Sequence, residues 1–147
     1  MSDLREYISK VKKIKELKTI KTKVSTKYEI AGITAKVDNS HAVLFENIKE
    51  SDFRLVSNLV GTRKRFALAV GGTDKNIHQK VISAIKNAKA PKIIPNGKFM
   101  ENKSKNVLSM PIVTHFEKES GPFITSSIAY AKNPETGKQN SSFHRMM

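Results

Sequence analysis

The last 24 residues, Ile124 to Met147, carry the pattern that most restricts the fold of this chain. Ile124–Ala131 is an extended run with recurring Ile, Thr and Tyr, and Gln139–Met146 is a second extended run. Between them, Asn133–Gly137 contains the Asn, Pro and Gly that turns favour. The sequence therefore predicts a β-hairpin over this stretch.

The second predicted strand carries Asn140, Ser142, His144 and Arg145 within six positions. An Asn carbonyl can ligate a hard metal ion, a Ser hydroxyl can bond a phosphate oxygen, and an Arg fork can clamp a carboxylate or phosphate. In a regular strand the first three share one face and Arg145 points the other way. All four can reach one pocket only if the strand ends, twists or bulges near Phe143.

Upstream of the hairpin, helical and extended patterns alternate. Asp3 can cap a first helix with Glu6 three residues on, and Leu17 to Val24 alternates apolar and lysine positions as an edge strand would. Ser25 opens a second predicted helix. The wholly apolar run Ala42–Phe45 indicates a central buried strand whose predicted neighbour is Phe53–Val56.

Two further helices are predicted between these strands and Pro91. The first covers Arg63–Val70 and is ended by Gly71 and Gly72. Thr73 caps the second, which has one apolar face formed by Ile77, Val81, Ile82 and Ile85. Pro91 and Pro95, followed by the polar stretch 101–106, then predict a domain boundary. Strands alone are expected beyond it, so the fold class is α+β.

Composition excludes several classes of protein. Without Cys, the chain has no disulfide framework, no thiolate metal site and no Cys nucleophile. No apolar run approaches the roughly 18 residues of a membrane span, and we expect a cytoplasmic protein without membrane contact. The four His residues are too widely spaced to predict a metal cluster, and no Walker loop, nucleophile elbow or dinucleotide fingerprint is present.

The net charge of +14 keeps a different function open. Residues 1–27 hold nine Lys and Arg against three Asp and Glu, a local excess of +6. Such a charge favours polyanions, and a basic nucleic-acid-binding module is therefore an alternative. The basic stretch has no interleaved aromatic residues, however, on which single-stranded bases could stack.

Four blocks of the sequence resemble the N-terminal part of the UbiD-type decarboxylases, and their order and spacing match over nearly the whole chain. The blocks are Ala42–Asn47, Asn58–Ala69, Gly121–Thr125, and Ala131–Gly137 with the run Asn140-x-Ser142-x-x-Arg145 after it. The resemblance is closest to archaeal members. It implies a mixed α/β domain over residues 1–100, followed in 101–147 by the first strands of a flavin-binding split β-barrel.

The resemblance also implies a function and a site. UbiD-type enzymes remove carbon dioxide non-oxidatively from unsaturated or aromatic acids with prenylated FMN, the flavin serving as electron sink. By position, Asn140 matches the ligand of the divalent ion, Mn²⁺ or Mg²⁺, that holds the cofactor phosphate. Ser142 lies on the phosphate side, Ser126 matches a hydroxyl residue facing the cofactor, and Arg145 matches the Arg that holds the substrate carboxylate.

Several parts of the family's machinery have no counterpart in these 147 residues: the other metal ligands, the proton donor, most of the barrel and the oligomerisation segment. The chain alone is therefore not expected to catalyse. It is expected to be a fragment, a truncated reading frame, or one half of a split enzyme completed by a second polypeptide, and a homo-oligomer if intact. A non-catalytic subunit that docks on such a partner is a further alternative.

Overall fold

The computed structural model describes residues 3–90, 92–97 and 100–147. In this part of the chain there are four α-helices and five strands, together with a short 3₁₀ helix, Val107–Ser109. The elements follow the order α1 Leu4–Lys13, β1 Leu17–Ile20, α2 Glu29–Lys36, β2 Ala42–Phe45, β3 Leu55–Ser57, α3 Arg63–Ala69, α4 Ile77–Lys86, β4 Ile124–Lys132 and β5 Gln139–Met146. The α+β class predicted from the sequence is confirmed.

A three-stranded sheet organises the first part of the chain. β2 lies in the middle, parallel to β1 and antiparallel to β3. The wholly apolar run Ala42–Phe45 is therefore the central strand, as predicted, and Ala42, Val43 and Phe45 are buried because the strand is covered on both faces. The neighbouring edge strand is shorter than the predicted Leu17–Val24 and ends at Ile20.

Helices cover both faces of this sheet. Val43 and Phe45 point into the larger core cluster, which α2 closes with Ile30. Ala42 points the other way and packs with Tyr7 and Val11 of α1, as the two-residue period of a strand requires. α1 begins where predicted, since the Asp3 carboxylate accepts a hydrogen bond of 2.8 Å from the Glu6 amide.

Arg65 of α3 is a fully buried cation that the apolar pattern did not indicate. Its Nη1 donates to Glu16 Oε2 at 3.1 Å and to the Ser40 carbonyl at 2.8 Å, and its Nε donates to the Leu59 carbonyl at 3.2 Å. The Tyr7 hydroxyl donates to the Arg65 carbonyl at 2.8 Å. This network joins α1, the start of β1 and α3 around one charge.

Two helices begin later than the sequence suggested. Thr26 and Tyr28 are hydrogen-bonded to Thr114, through Thr114 N to Thr26 O and Tyr28 N to Thr114 O, both at 3.1 Å. Tyr28 also has a φ of +70°, which an α-helix excludes, so α2 starts at Glu29 rather than at Ser25. Thr73 likewise does not cap α4: its amide donates to Asn76 Oδ1 at 2.7 Å, and the helix starts at Ile77.

The segment 109–114 packs on the core formed by the first part of the chain. Val113 belongs to the larger core cluster, and the Ser51 hydroxyl donates to the Ser109 carbonyl at 2.6 Å. Val113 also pairs with Phe123, which leads directly into β4. This short pairing is what joins the hairpin to the three-stranded sheet. The domain boundary near residue 100 remains a prediction.

Candidate functional site

The predicted hairpin is present and its two strands are antiparallel. Its turn forms as the sequence indicates: Asn133 Oδ1 accepts the amides of Glu135 and Thr136 at 2.8 Å each, and Gly137 has a φ of +68°. Ala131 pairs with Asn140, Ala129 with Ser142 and Ser127 with His144. Asn140, Ser142 and His144 therefore share one face of the hairpin.

Small side chains lie opposite these polar residues. Ala131, Ala129 and Ser127 leave the face open, so that a flat ligand could approach the backbone there. On β5 the side chains of Asn140 and Ser142 lie roughly 7 Å apart, the repeat of two residues in a strand. Ser142 Oγ and His144 Nε2 are 2.7 Å apart, so the imidazole fixes the orientation of this hydroxyl. The arrangement offers an amide oxygen, a hydroxyl and an imidazole to one ligand.

Arg145 lies at an irregularity of the hairpin. Ile124 pairs with Met146 and Ser127 pairs with His144, so that Thr125 and Ser126 together oppose the single residue Arg145. This is a β-bulge on β4. The predicted break lies on β4 and not on β5, so β5 stays regular and Arg145 remains on the face opposite to Asn140, Ser142 and His144. The bulge places Ser126 and Arg145 opposite each other.

The bulge borders a groove with a volume of about 1610 Å³. Its walls come from α2, from the segment 53–61, from residues between 102 and 116, and from 123–126. Ser126 lines this groove directly. Asn140, Ser142 and Arg145 are exposed on the adjoining strand.

Polar residues on the far wall were not found by sequence reasoning. Thr34 and Ser57 contribute hydroxyls 2.8 Å apart, and Asn58 has a φ of +55° with its Nδ2 donating to the His41 carbonyl at 2.8 Å. Asn58 opens one of the blocks that resemble the family, and an Asn three residues before Gly61 is a signal for a left-handed turn. Thr34 and Ser57 carry no comparable signal.

The hairpin face suits a phosphate better than it suits a metal ion by itself. Hydroxyl groups bind phosphate oxygens, and Asn140 offers one neutral oxygen ligand. Among residues 3–90, 92–97 and 100–147, no three His, Asp or Glu side chains come together as a metal-binding group.

Sequence profiles of one family cover the chain almost completely. The 3-octaprenyl-4-hydroxybenzoate carboxy-lyase N-terminal domain matches residues 8–85, and the Rift-related domain of the same enzymes matches residues 88–147. The chain belongs to the UbiD family. The N-terminal domain match covers the three-stranded sheet with its helices, and the Rift-related domain match covers the hairpin.

Individual relatives support this assignment. The chain is 28% identical to the anhydromevalonate phosphate decarboxylase of Methanothermobacter thermautotrophicus, over 98% of its own length and 33% of the relative's. The UbiD-class enzyme HmfF of Pelotomaculum thermopropionicum in complex with FMN is 29% identical with a TM-score of 0.90, covering 98% of this chain and 34% of that one. An evolved dimeric form of HmfF in complex with prFMN is 27% identical to this chain, with a TM-score of 0.90. The match covers 100% of this chain and 36% of that one.

The chain thus spans about a third of the relatives it matches. It corresponds to the N-terminal portion of the UbiD-type fold. In the part of the chain that the structure describes, no helix is long and apolar enough to cross a membrane.

Proposed function

We propose that this chain supplies the N-terminal third of a UbiD-type non-oxidative decarboxylase, which acts on an unsaturated or aromatic carboxylic acid. The observation that carries the proposal is the bulge, because it sets Arg145 opposite Ser126 at the rim of the groove. A guanidinium next to an open groove is suited to bind a carboxylate in a bidentate manner. Arg145 is the proposed carboxylate-binding residue.

Prenylated FMN is the proposed cofactor, and when bound it would supply the electron sink that decarboxylation needs. Asn140 and Ser142 would hold its phosphate end, Asn140 through Mn²⁺ or Mg²⁺. Ser126, on the groove side of the bulge, would face the ring system. The open face above Ala129 and Ala131 and the hydroxyl oriented by His144 support this assignment.

A second polypeptide is proposed to complete the site. Asn140 is the single proposed metal ligand of this chain, which spans about a third of the relatives it matches. The apolar face of the hairpin is also uncovered, since Ile128, Tyr130 and Phe143 are exposed by 49%, 69% and 84%. Several large apolar side chains that are exposed together mark a surface that another chain covers.

The test is to purify the tagged chain from its own cells, identify its partners by mass spectrometry and record the absorbance spectrum of the eluate. We expect a stoichiometric partner that carries the missing His and Glu ligands, together with bound flavin. The complex should release carbon dioxide from its acid, and Arg145→Ala should abolish this release. Lys138→Ala is the matched control, because Lys138 is an exposed cation of the same hairpin.

Recovery of the chain without partner and without flavin would contradict the proposal. Nucleic acid in the eluate, released by raising the salt concentration, would favour the basic nucleic-acid-binding module instead.

A further inference from the structure

Helix α4 has an apolar face with almost nothing against it. Ile77, Val81, Ile82 and Ile85 are exposed by 4%, 36%, 52% and 73%, so exposure rises steadily along the helix. Every residue from His78 to Lys86 is exposed. A helix of ten residues is too short to be stable by itself in water. The apolar face of α4 is therefore a surface that requires a partner.

Residues from the neighbouring α3 region turn this face into a groove. Val60 and Phe66 are exposed by 53% and 43% and lie across from Val81 and Ile82, enclosing about 640 Å³. We call this set, with Ile85, the α3–α4 surface. Its concave shape between two elements is suited to receive the apolar ridge of another helix.

Positive charge flanks the apolar arc of α4 at both edges. Residues 53–100 hold ten Lys and Arg against the single acid Asp74, a local excess of +9. At 100° per residue, Lys80 and Lys86 lie about 40° beyond the two edges of the apolar arc that runs from Ala84 through Ile82. Arg63 and His78 line the groove itself. An apolar groove with a cationic rim selects an apolar ridge with an anionic rim.

We propose that the α3–α4 surface binds an acidic amphipathic helix of another protein. A second copy of this chain would bring Arg63, Lys80 and Lys86 of two surfaces together, and the repulsion disfavours that occupant. A membrane surface is also disfavoured, because Val60 and Phe66 form a wall beside α4, whereas an interfacial helix lays its whole apolar face on the lipid. The α3–α4 surface lies apart from the hairpin and adjoins, at Val60, the groove that Ser126 lines.

The probe is a fluorescein-labelled peptide of about 18 residues, with leucines at helical spacing and glutamates elsewhere. Binding to the full chain is followed by fluorescence anisotropy. A peptide of the same composition in scrambled order and a peptide with lysines in place of the glutamates are the controls. We expect the ordered acidic peptide to bind, the other two to bind at least about tenfold more weakly, and its affinity to fall as salt rises.

Two sets of variants locate the site. Ile82→Asp should weaken binding of the acidic peptide by at least about tenfold, while Leu108→Asp, at a residue exposed by 89% outside the α3–α4 surface, should leave it unchanged. Lys80→Glu with Lys86→Glu should reverse the preference, so that the lysine peptide binds better than the glutamate peptide. This charge reversal does not touch the groove, and it keeps the test valid if Ile82→Asp unfolds α4.

Three results would overturn the proposal. The first is equal binding of ordered and scrambled acidic peptides. The second is self-association of the wild-type chain that Ile82→Asp abolishes, which would assign the surface to a second copy. The third is tighter binding to phosphatidylserine vesicles than to the peptide, lost in Ile82→Asp, which would assign it to a membrane surface.

Discussion

The guanidinium carbon of Arg145 lies 5.5 Å from the centre of the Phe123 ring. Phe123 precedes β4, and its amide donates to the carbonyl of the core residue Val113 at 3.1 Å. The ring is thus fixed to the first part of the chain, and the cation on β5 lies over it. Arg145 is thereby connected to the core although its own strand is exposed.

The Phe123 ring is expected to restrict the Arg145 side chain. Replacing it in Phe123→Leu keeps the bulk and removes the aromatic face, which should cost roughly 0.5–1 kcal/mol of a cation–π contact at an exposed site. The Arg145 Nε–Hε resonance should lose its ring-current shift and move toward the position of a free arginine in proton NMR. Phe116→Leu is the control, because the exposed Phe116 ring stacks loosely on His115, at 6.5 Å. An unchanged Arg145 resonance in Phe123→Leu would contradict the contact.

The hairpin could be predicted from the sequence, but the position of its bulge could not. Turn residues such as Asn133 and Gly137 act locally, and their chemistry is visible in the chain itself. The bulge follows shortly after Phe123, which pairs with Val113, and both residues lie far from the turn. The strand pattern showed that a regular strand would point the side chains of Asn140 and Arg145 to opposite faces. It did not show which strand would carry the extra residue.

The buried pair of Arg65 and Glu16 illustrates the same limit. Arg65 lies in the basic stretch Arg63–Arg65, where composition favours three solvated side chains. It is buried because three acceptors from distant parts of the chain surround it, Glu16, Ser40 and Leu59. Helix periodicity marked the apolar face of α4, but it could not tell that this face would be left open.

Arg65 should be essential for stability, whereas its neighbour Lys64 should not. Both contact Glu16, Lys64 Nζ at 2.7 Å and Arg65 Nη1 at 3.1 Å. Arg65→Met leaves the Glu16 carboxylate and two carbonyls without this donor and should cost about 3–5 kcal/mol in the free energy of unfolding. Lys64→Met, at a side chain exposed by 59%, should cost at most about 1 kcal/mol. Urea denaturation measures both, and equal losses would show that burial of the pair is unimportant.

Glu16 should make stability fall in acid. Hydrogen bonds from Lys64 and then from Arg65 hold the pKa of Glu16 below its usual value of 4.5, against the opposing effect of burial. A carboxyl group with a lowered folded-state pKa stabilises the protein above the unfolded value, and the effect disappears as the pH falls through the folded-state pKa. The stability difference between wild type and Glu16→Gln should therefore be constant above about pH 5 and shrink below pH 4.5.

The measurement is urea denaturation of wild type and Glu16→Gln at pH steps between about 3 and 7. Glu6→Gln is the control, since Glu6 is an exposed carboxylate paired only with Lys10, at 2.8 Å within α1. A constant difference between wild type and Glu16→Gln down to pH 3 would contradict the assigned role of Glu16.

Gly71 and Gly32 should respond to alanine in opposite directions. Gly71 follows α3 with a φ of +68°, a conformation that costs a residue with a Cβ about 1 kcal/mol. Gly32 lies inside α2, and a Cβ there would meet nothing within 4 Å. Gly71→Ala should therefore lower the urea midpoint, while Gly32→Ala should raise it by the equivalent of roughly 0.5–1 kcal/mol, because alanine loses less backbone entropy in a helix. The slope of the transition should stay the same in both variants, since neither changes the surface exposed on unfolding. A stabilising Gly71→Ala would mean that α3 does not end in a left-handed residue, and the groove between α3 and α4 would then have a different shape.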